Sequence, residues 1–165
     1  MARTLVKRSD KVAFFGNMST GTETFNRMRG FTTLSGSKNP SEYSRQYVDE
    51  EFETTDVTGY SPSYDFGFDQ YTDDPVHDEM VEILDSESTG TDARRNIVIV
   101  DFSQPDGGGY KAVKREWSII GDSEGDSMDA YTYSGTLRAT GQRITGTATM
   151  NSDNSVATFE PTVSL

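Results

Sequence analysis

Few residues in this chain have the type and spacing that chemistry requires. The single histidine, His77, follows Asp73-Asp74-Pro75-Val76 and precedes Asp78-Glu79. Acid-base work with a serine would call for a nucleophile elbow or a comparable signature, and none accompanies it. Zinc needs several imidazole or thiolate ligands, which one histidine and no cysteine cannot supply. His77 is therefore expected to face solvent from the first turn of a helix. The run Asp122-Ser123-Glu124-Gly125-Asp126 has carboxylates at alternate positions, as calcium loops do. The sixth place of such a loop takes glycine and the twelfth a bidentate glutamate, whereas here they are Ser127 and Tyr133. The run reads as a solvated acidic loop. Gly107-Gly108-Gly109 follows a strand, as phosphate cradles do, but no Lys-Ser/Thr pair comes after it and another strand follows. It is a hairpin tip. Carboxylates are so dense between residues 42 and 92 that no single pair stands out as a general acid and base. Nothing in this inventory favours catalysis, and no cofactor or metal is expected.

Attention therefore shifts to the elements and to the surfaces they carry. The 165 residues suit one domain, 1–165, with the first 24 residues expected as an N-terminal arm. Without cysteine the chain has no disulfide framework and no thiolate chemistry. Its longest aliphatic run, Ile97-Val98-Ile99-Val100, is far below the ~20 residues of a membrane helix. The basic start (Arg3, Lys7, Arg8, Lys11) has no apolar stretch of signal-peptide length behind it, which points to synthesis in a cytoplasm. The formal charge is −12, which argues against tight phosphate binding. Leu, Ile, Val and Phe together make up just under a fifth of the chain, near the border of disorder, yet 11% of residues are aromatic. The pattern is that of a folded protein with a thin core, part of whose apolar surface is expected to be buried between chains.

Charge is unevenly spread. Residues 42–92 hold 16 acids against one base, Arg45, while residues 1–30 hold six bases and two acids. This is either two solvated faces or head-to-tail complementarity between copies. On the second reading, Arg3, Lys7, Arg8 and Lys11 meet a neighbour carrying Tyr43, Tyr47, Tyr60 and Tyr64 on its acidic middle.

Periodicity gives the elements. Glu42–Glu53 alternates as a two-faced, mostly polar strand; 52–57 continues or follows it, and Gly59-Tyr60-Ser61-Pro62 is a turn. Tyr64, Phe66 and Phe68 alternate with Asp65, Gly67 and Asp69 as a half-buried strand. Asp74 as N-cap and Pro75 at the first helical position open a helix over about residues 75–87. Val76, Met80, Ile83 and Leu84 form its buried stripe. Thr20 and Glu23 have capping-box spacing with Gly30 as a stop, so 20–30 is either a second helix or a loop leading into a strand at 31–34. The second half holds a buried strand at 96–103, its hairpin partner at 110–120, a loop at 121–129, a hairpin of 131–140 with 144–150, and a last strand at 156–163. The expected fold is mainly β, an antiparallel β-sandwich or partial barrel with one flanking helix. Edge strands of such a sheet must be covered, charged or paired with a neighbour.

Several stretches resemble, in order, the major tail (tail tube) proteins of long-tailed siphophages. They are Arg27-Met28-Arg29-Gly30-Phe31-Thr32-Thr33-Leu34-Ser35, Ser37-Lys38-Asn39-Pro40, Glu42–Glu50, Thr55–Pro62 running into Tyr64–Tyr71, Val76-His77-Asp78, Asn96–Phe102 and Trp117–Gly135. The likeness covers residues 25–160; residues 1–24 match poorly. It implies a virion protein whose hexameric rings stack into a hollow tube. The inner strands of six subunits would join in one barrel around a lumen, and extended arms would dock onto neighbours. Its implied partners are further copies of itself, a tape-measure protein, a tail terminator and baseplate proteins, with DNA passing through and no membrane involved. A like-charged lumen would repel phosphates. Glu42, Asp49, Glu51, Glu53 and Asp56 are the residues expected to face it, and residues 1–24 with part of 36–63 are expected to become ordered on assembly.

Two other readings stand beside this one. An acidic sandwich could be a binding module for protein or carbohydrate on a virion or cell surface, marked by an exposed cluster of Trp117, Tyr131 and Tyr133. A hydrolase using scattered carboxylates is the other.

Overall fold

The computed structural model describes residues 3–18 and 21–162. Its centre is explained by the one strongly aliphatic run. Strand β7 (Arg94–Asp106) sends Val98 and Val100 to one side and Ile97 and Ile99 to the other, and both sides are covered. A strand buried on both faces needs a continuous apolar run, not an alternating one. Its neighbour β1 (Lys11–Asn17) behaves in the same way. Val12 and Phe14 enter one core, Ala13 and Phe15 the other.

The first core is the inside of a six-stranded antiparallel barrel. It is built from β1, β2 (Thr24–Arg27), β7, β8 (Gly109–Glu124), β10 (Ile144–Met150) and β11 (Val156–Pro161), and it closes where β10 pairs with the first part of β8. Val12, Phe14, Phe25, Val98, Val100, Ala112, Ala148 and Ala157 fill it. Alanines at three of these positions suit a narrow barrel, in which the two phenylalanines take most of the space.

The second core lies against the outside of this barrel. Past Lys114, β8 no longer pairs with β10, and from Trp117 it pairs with β9 (Thr132–Ala139). The sheet then continues through β6 (Ser63–Asp69) to β3 (Phe31–Ser37). Phe66, Phe68, Tyr133 and Leu137 of this extension pack with Phe15, Ile97, Trp117 and Ile119. Helix α1 (Pro75–Asp85) adds Val76, Met80 and Ile83. The Asp74 side chain accepts from the backbone N–H groups of Val76 and His77 at 3.0 and 3.2 Å, as the N-cap spacing requires. Asp74→Ala should cost about 1 kcal/mol in a denaturant titration.

The mainly β fold with one flanking helix is as the sequence indicated. The N-terminal arm is shorter than expected, because residues 11–17 form a central strand. Residues 24–27 pair with β1 and β11 as a strand, so the helical reading of 20–30 falls; Thr20 itself lies outside the described residues. So does the end of the last strand, expected to reach Val163. The single strand expected over 42–53 is instead the end of β4 (Pro40–Arg45) and the turn that joins it to β5 (Thr54–Tyr60), its antiparallel partner.

Candidate assembly surfaces

The strands β8 (from Ile119), β9, β6 and β3 make a four-stranded sheet covered on one face only. Its covered face carries Phe66, Phe68, Tyr133 and Leu137. The other face is read off the register: Ser35, Asp65, Thr136 and Ile120 lie side by side in one row, and Thr33, Gly67, Ser134 and Ser123 in the next. This face is open and rich in hydroxyls, with Asp65, Asp69 and Asp122 as its acids and Arg138 as its base. Thr136 Oγ1 donates to Asp65 Oδ1 at 3.4 Å, and the Ser123 and Ser134 hydroxyls meet at 2.6 Å.

The same sheet ends at two strand edges. β3 pairs only with β6, and β7 stops pairing with β8 at Ser118, leaving residues 119–124 with β9 alone. Arg8 Nη2 donates to the Leu34 carbonyl at 3.0 Å, the one hydrogen bond to β3 from the N-terminal segment among the described residues. Rows of backbone donors and acceptors at an edge are templates for another strand.

The β4–β5 hairpin is a second surface. It stands clear of both cores, and every residue from 40 to 60 is exposed except Arg45 and Gly59, which are half-buried. Val48, Phe52, Tyr43, Tyr47, Val57 and Tyr60 are 107, 78, 56, 50, 53 and 58% exposed. Its ties are internal: Gln46 Nε2 donates to the Glu50 and Glu51 carbonyls at 3.1 and 3.2 Å, and Thr58 Oγ1 to the Ser41 carbonyl at 3.0 Å. Arg45 bridges to Asp56 at 2.6 Å and lies 5.2 Å from the rings of both Tyr43 and Tyr47. The Ser44 and Thr55 hydroxyls meet at 2.9 Å. At the neck, Ser61 N–H donates to Lys38 O at 3.2 Å and Asn39 Nδ2 donates to Ser61 O at 3.0 Å. An isolated two-stranded hairpin is marginal in water, and this one has no third strand. The structure brings Glu42, Asp49, Glu51, Glu53 and Asp56 together on this hairpin, with Tyr43, Tyr47 and Tyr60.

The other expected contact residues lie elsewhere. Arg3, Lys7 and Arg8 are exposed in the segment that leads into β1, and Lys11 is exposed at its first position. Arg8 also donates to Lys11 O at 2.7 Å, and Lys11 sits opposite Asp101. Tyr64 is on β6, edge-on to Trp117 with ring centroids 5.1 Å apart, and burial pushes its hydroxyl pKa up.

His77 is not at the surface. It is fully buried, stacked on Phe68 at 4.7 Å, and both ring nitrogens are used. Nδ1 accepts the Tyr71 N–H at 3.0 Å, and Nε2 donates to the Arg29 carbonyl at 2.6 Å, since a backbone carbonyl can only accept. One imidazole thus ties the entry to β3 and the exit from β6 to the helix. A helical stripe of Val76, Met80 and Ile83 gave no sign of this, because the adjacent residue 77 turns toward the β3 entry and the end of β6, where Phe68 stacks on it. His77→Ala would strand a buried donor and acceptor and open a cavity, at an expected cost of about 3 kcal/mol by chemical denaturation.

The aromatic cluster expected of a binding module is not exposed. Trp117 and Tyr133 are 4 and 5% exposed, so of the three only Tyr131 reaches solvent. Tyr133 donates to Asp85 at 3.2 Å, and its hydroxyl pKa is pushed up to about 12 by burial and by that carboxylate. Gly107 and Gly108 form the turn between β7 and β8, and Gly109 opens β8 opposite Asp106. Asp122–Asp126 are exposed, and among the described residues no group of acids is placed to hold a metal ion. No described helix is long and apolar enough to cross a membrane.

Known structures share this architecture. A chain of the virion of a native gene transfer agent particle superposes with a TM-score of 0.56 at 10% identity, over 83% of this chain and 95% of that one. A chain of the anti-feeding prophage cap, a tube-terminating cap, does so with a TM-score of 0.52 at 12% identity, over 90 and 95%. This chain has the fold of subunits from phage-type particles. At such identities the likeness concerns the fold alone. No family model matches the chain, and no curated protein matches it in sequence.

Proposed function

We propose that this protein is a structural subunit of a phage-type tail tube, assembling head to tail into six-membered rings that stack around a lumen. The observation that carries the reading is the four-stranded sheet with two open edges and one open, hydroxyl-rich face. Pairing β3 of one copy with residues 119–124 of β8 in the next removes both edges. Repeating the contact around a ring turns six open sheets into one closed barrel. Its lining is then the face of Ser35, Asp65, Thr136, Ser134 and Asp122, which offers DNA phosphates little to hold to apart from Arg138. In this reading the lumen wall is the sheet, and the acids Glu42, Asp49, Glu51, Glu53 and Asp56 belong to an arm that reaches another copy. The shared fold with a gene transfer agent virion chain and a prophage tube cap chain supports a place in such a particle. By the family resemblance, the tube grows from a baseplate around a tape-measure protein and ends at a terminator. The protein acts through its surfaces and performs no catalysis.

Electron microscopy of the purified, concentrated protein tests this. Tubes or six-membered rings are expected; dispersed monomers at every concentration would contradict it.

A further inference from the structure

The outer face of the barrel carries a groove of about 460 Å³ lined by Ile99 and Val113 at its floor and by Lys11, Lys111, Arg143 and Thr145 around it. Its two acids are already engaged within the chain. Asp101 accepts from Ser103 and Gln104, which with the nearby Lys11 hold its carboxyl below the usual range, and Asp106 accepts from Thr147 at 2.7 Å. Lys111 and Arg143 are exposed, and no ion pair engages them among the described residues. The β4–β5 hairpin has the opposite character. Phe52 and Val48 stand out at its turn among Asp49, Glu50, Glu51 and Glu53, none of them ion-paired among the described residues. One chain therefore holds an unsupported acidic, apolar arm and a groove with an aliphatic floor and idle cations.

We infer that the turn of the β4–β5 hairpin of one copy docks in the Lys111–Arg143 groove of a second copy, with Phe52 over Ile99 and Val113 and the carboxylates against the cations. This rests on the self-assembly proposed above and names the surface that receives the arm. Arm and groove are different patches, so the contact is heterologous and each subunit gives one and takes one, as rings and filaments require. Charge complementarity fixes the register, and the aliphatic floor covers side chains that water otherwise surrounds.

Charge reversal with rescue is the test. Lys111→Glu/Arg143→Glu and, separately, Glu51→Lys/Glu53→Lys should each raise the protein concentration needed for sedimentable assemblies roughly 100-fold. The four changes together should bring it back to within about tenfold of the parent. Thermal unfolding of each variant shows whether the body is intact, and Lys111→Gln/Arg143→Gln gives the milder form should the reversal unfold it. If the parent forms tubes and the groove variants assemble equally well, the docking is overturned while the tube reading stands. If the arm variant fails and the combined variant is not rescued, the arm has another receiver and the inference is likewise overturned. A parent that never assembles overturns both.

Discussion

Replacing residues 40–60 by a short glycine link should abolish tubes and rings and leave the body folded. The hairpin gives no side chain to either core, and its neck closes on itself through Lys38, Asn39 and Ser61. Removing it takes away six exposed apolar side chains and a ladder that no other strand supports. The melting temperature of the isolated subunit should shift by no more than about 3 °C, since little buried surface is lost. Sedimentation should fall from assembled to monomeric at concentrations roughly 100-fold above those at which the parent assembles. Velocity sedimentation and a thermal scan on the same sample separate the two effects. A large fall in melting temperature would mean that the arm packs on its own body.

Gly135→Val should leave no folded protein at 25 °C. Gly135 lies in β9 between β6 and β8, and a Cβ there would stand 2.1 Å from the Ile120 carbonyl oxygen and 2.9 Å from the Phe66 ring. The oxygen belongs to the paired neighbour strand and cannot withdraw without breaking the ladder. Phe66 is 2% exposed and has no space to move into. The expected loss exceeds about 4 kcal/mol, a large part of the total stability of a domain this size. Gly108→Ala is the control, for nothing lies within 4 Å of a Cβ at that tip. Circular dichroism should find the valine variant unfolded and the alanine variant unchanged.

What was legible in the sequence followed from patterns with a single physical cause. Asp74-Pro75 fixes where the helix starts because both residues answer the same unpaired N–H groups. Tyr64, Phe66 and Phe68 alternate because β6 has one covered face. The run at 97–100 is continuous because β7 has two. The same logic hid β1: Val12-Ala13-Phe14-Phe15 is as apolar as β7, but it follows a basic, polar start and is too short to separate from it. His77 was misplaced because one polar residue beside acids looks solvated until its partners, two backbone groups 6 and 48 residues away, are seen. The open sheet was beyond sequence reading altogether. Ser35, Asp65, Thr136 and Ser123 are distant in the chain, and only the strand order makes them one surface. The acids of 42–56 drew attention by number, yet the fold gathers them on an arm. The thin core is real, but it is divided between a narrow barrel and a half-covered sheet, and in the proposed ring a neighbour extends the second at its edges.

In the proposed ring, β3 of one subunit pairs with β8 of the next. The chain has no cysteine, so introduced ones report without background. Thr33→Cys combined in turn with Ile120→Cys, Asp122→Cys and Ser123→Cys places a thiol on the open face at each edge, across the registers a new strand pair could take. Oxidation of assembled protein, read on a denaturing gel, should give for one of these pairs a ladder of covalent oligomers ending at six. Tubes whose thiols give monomers with all three pairs would contradict the account.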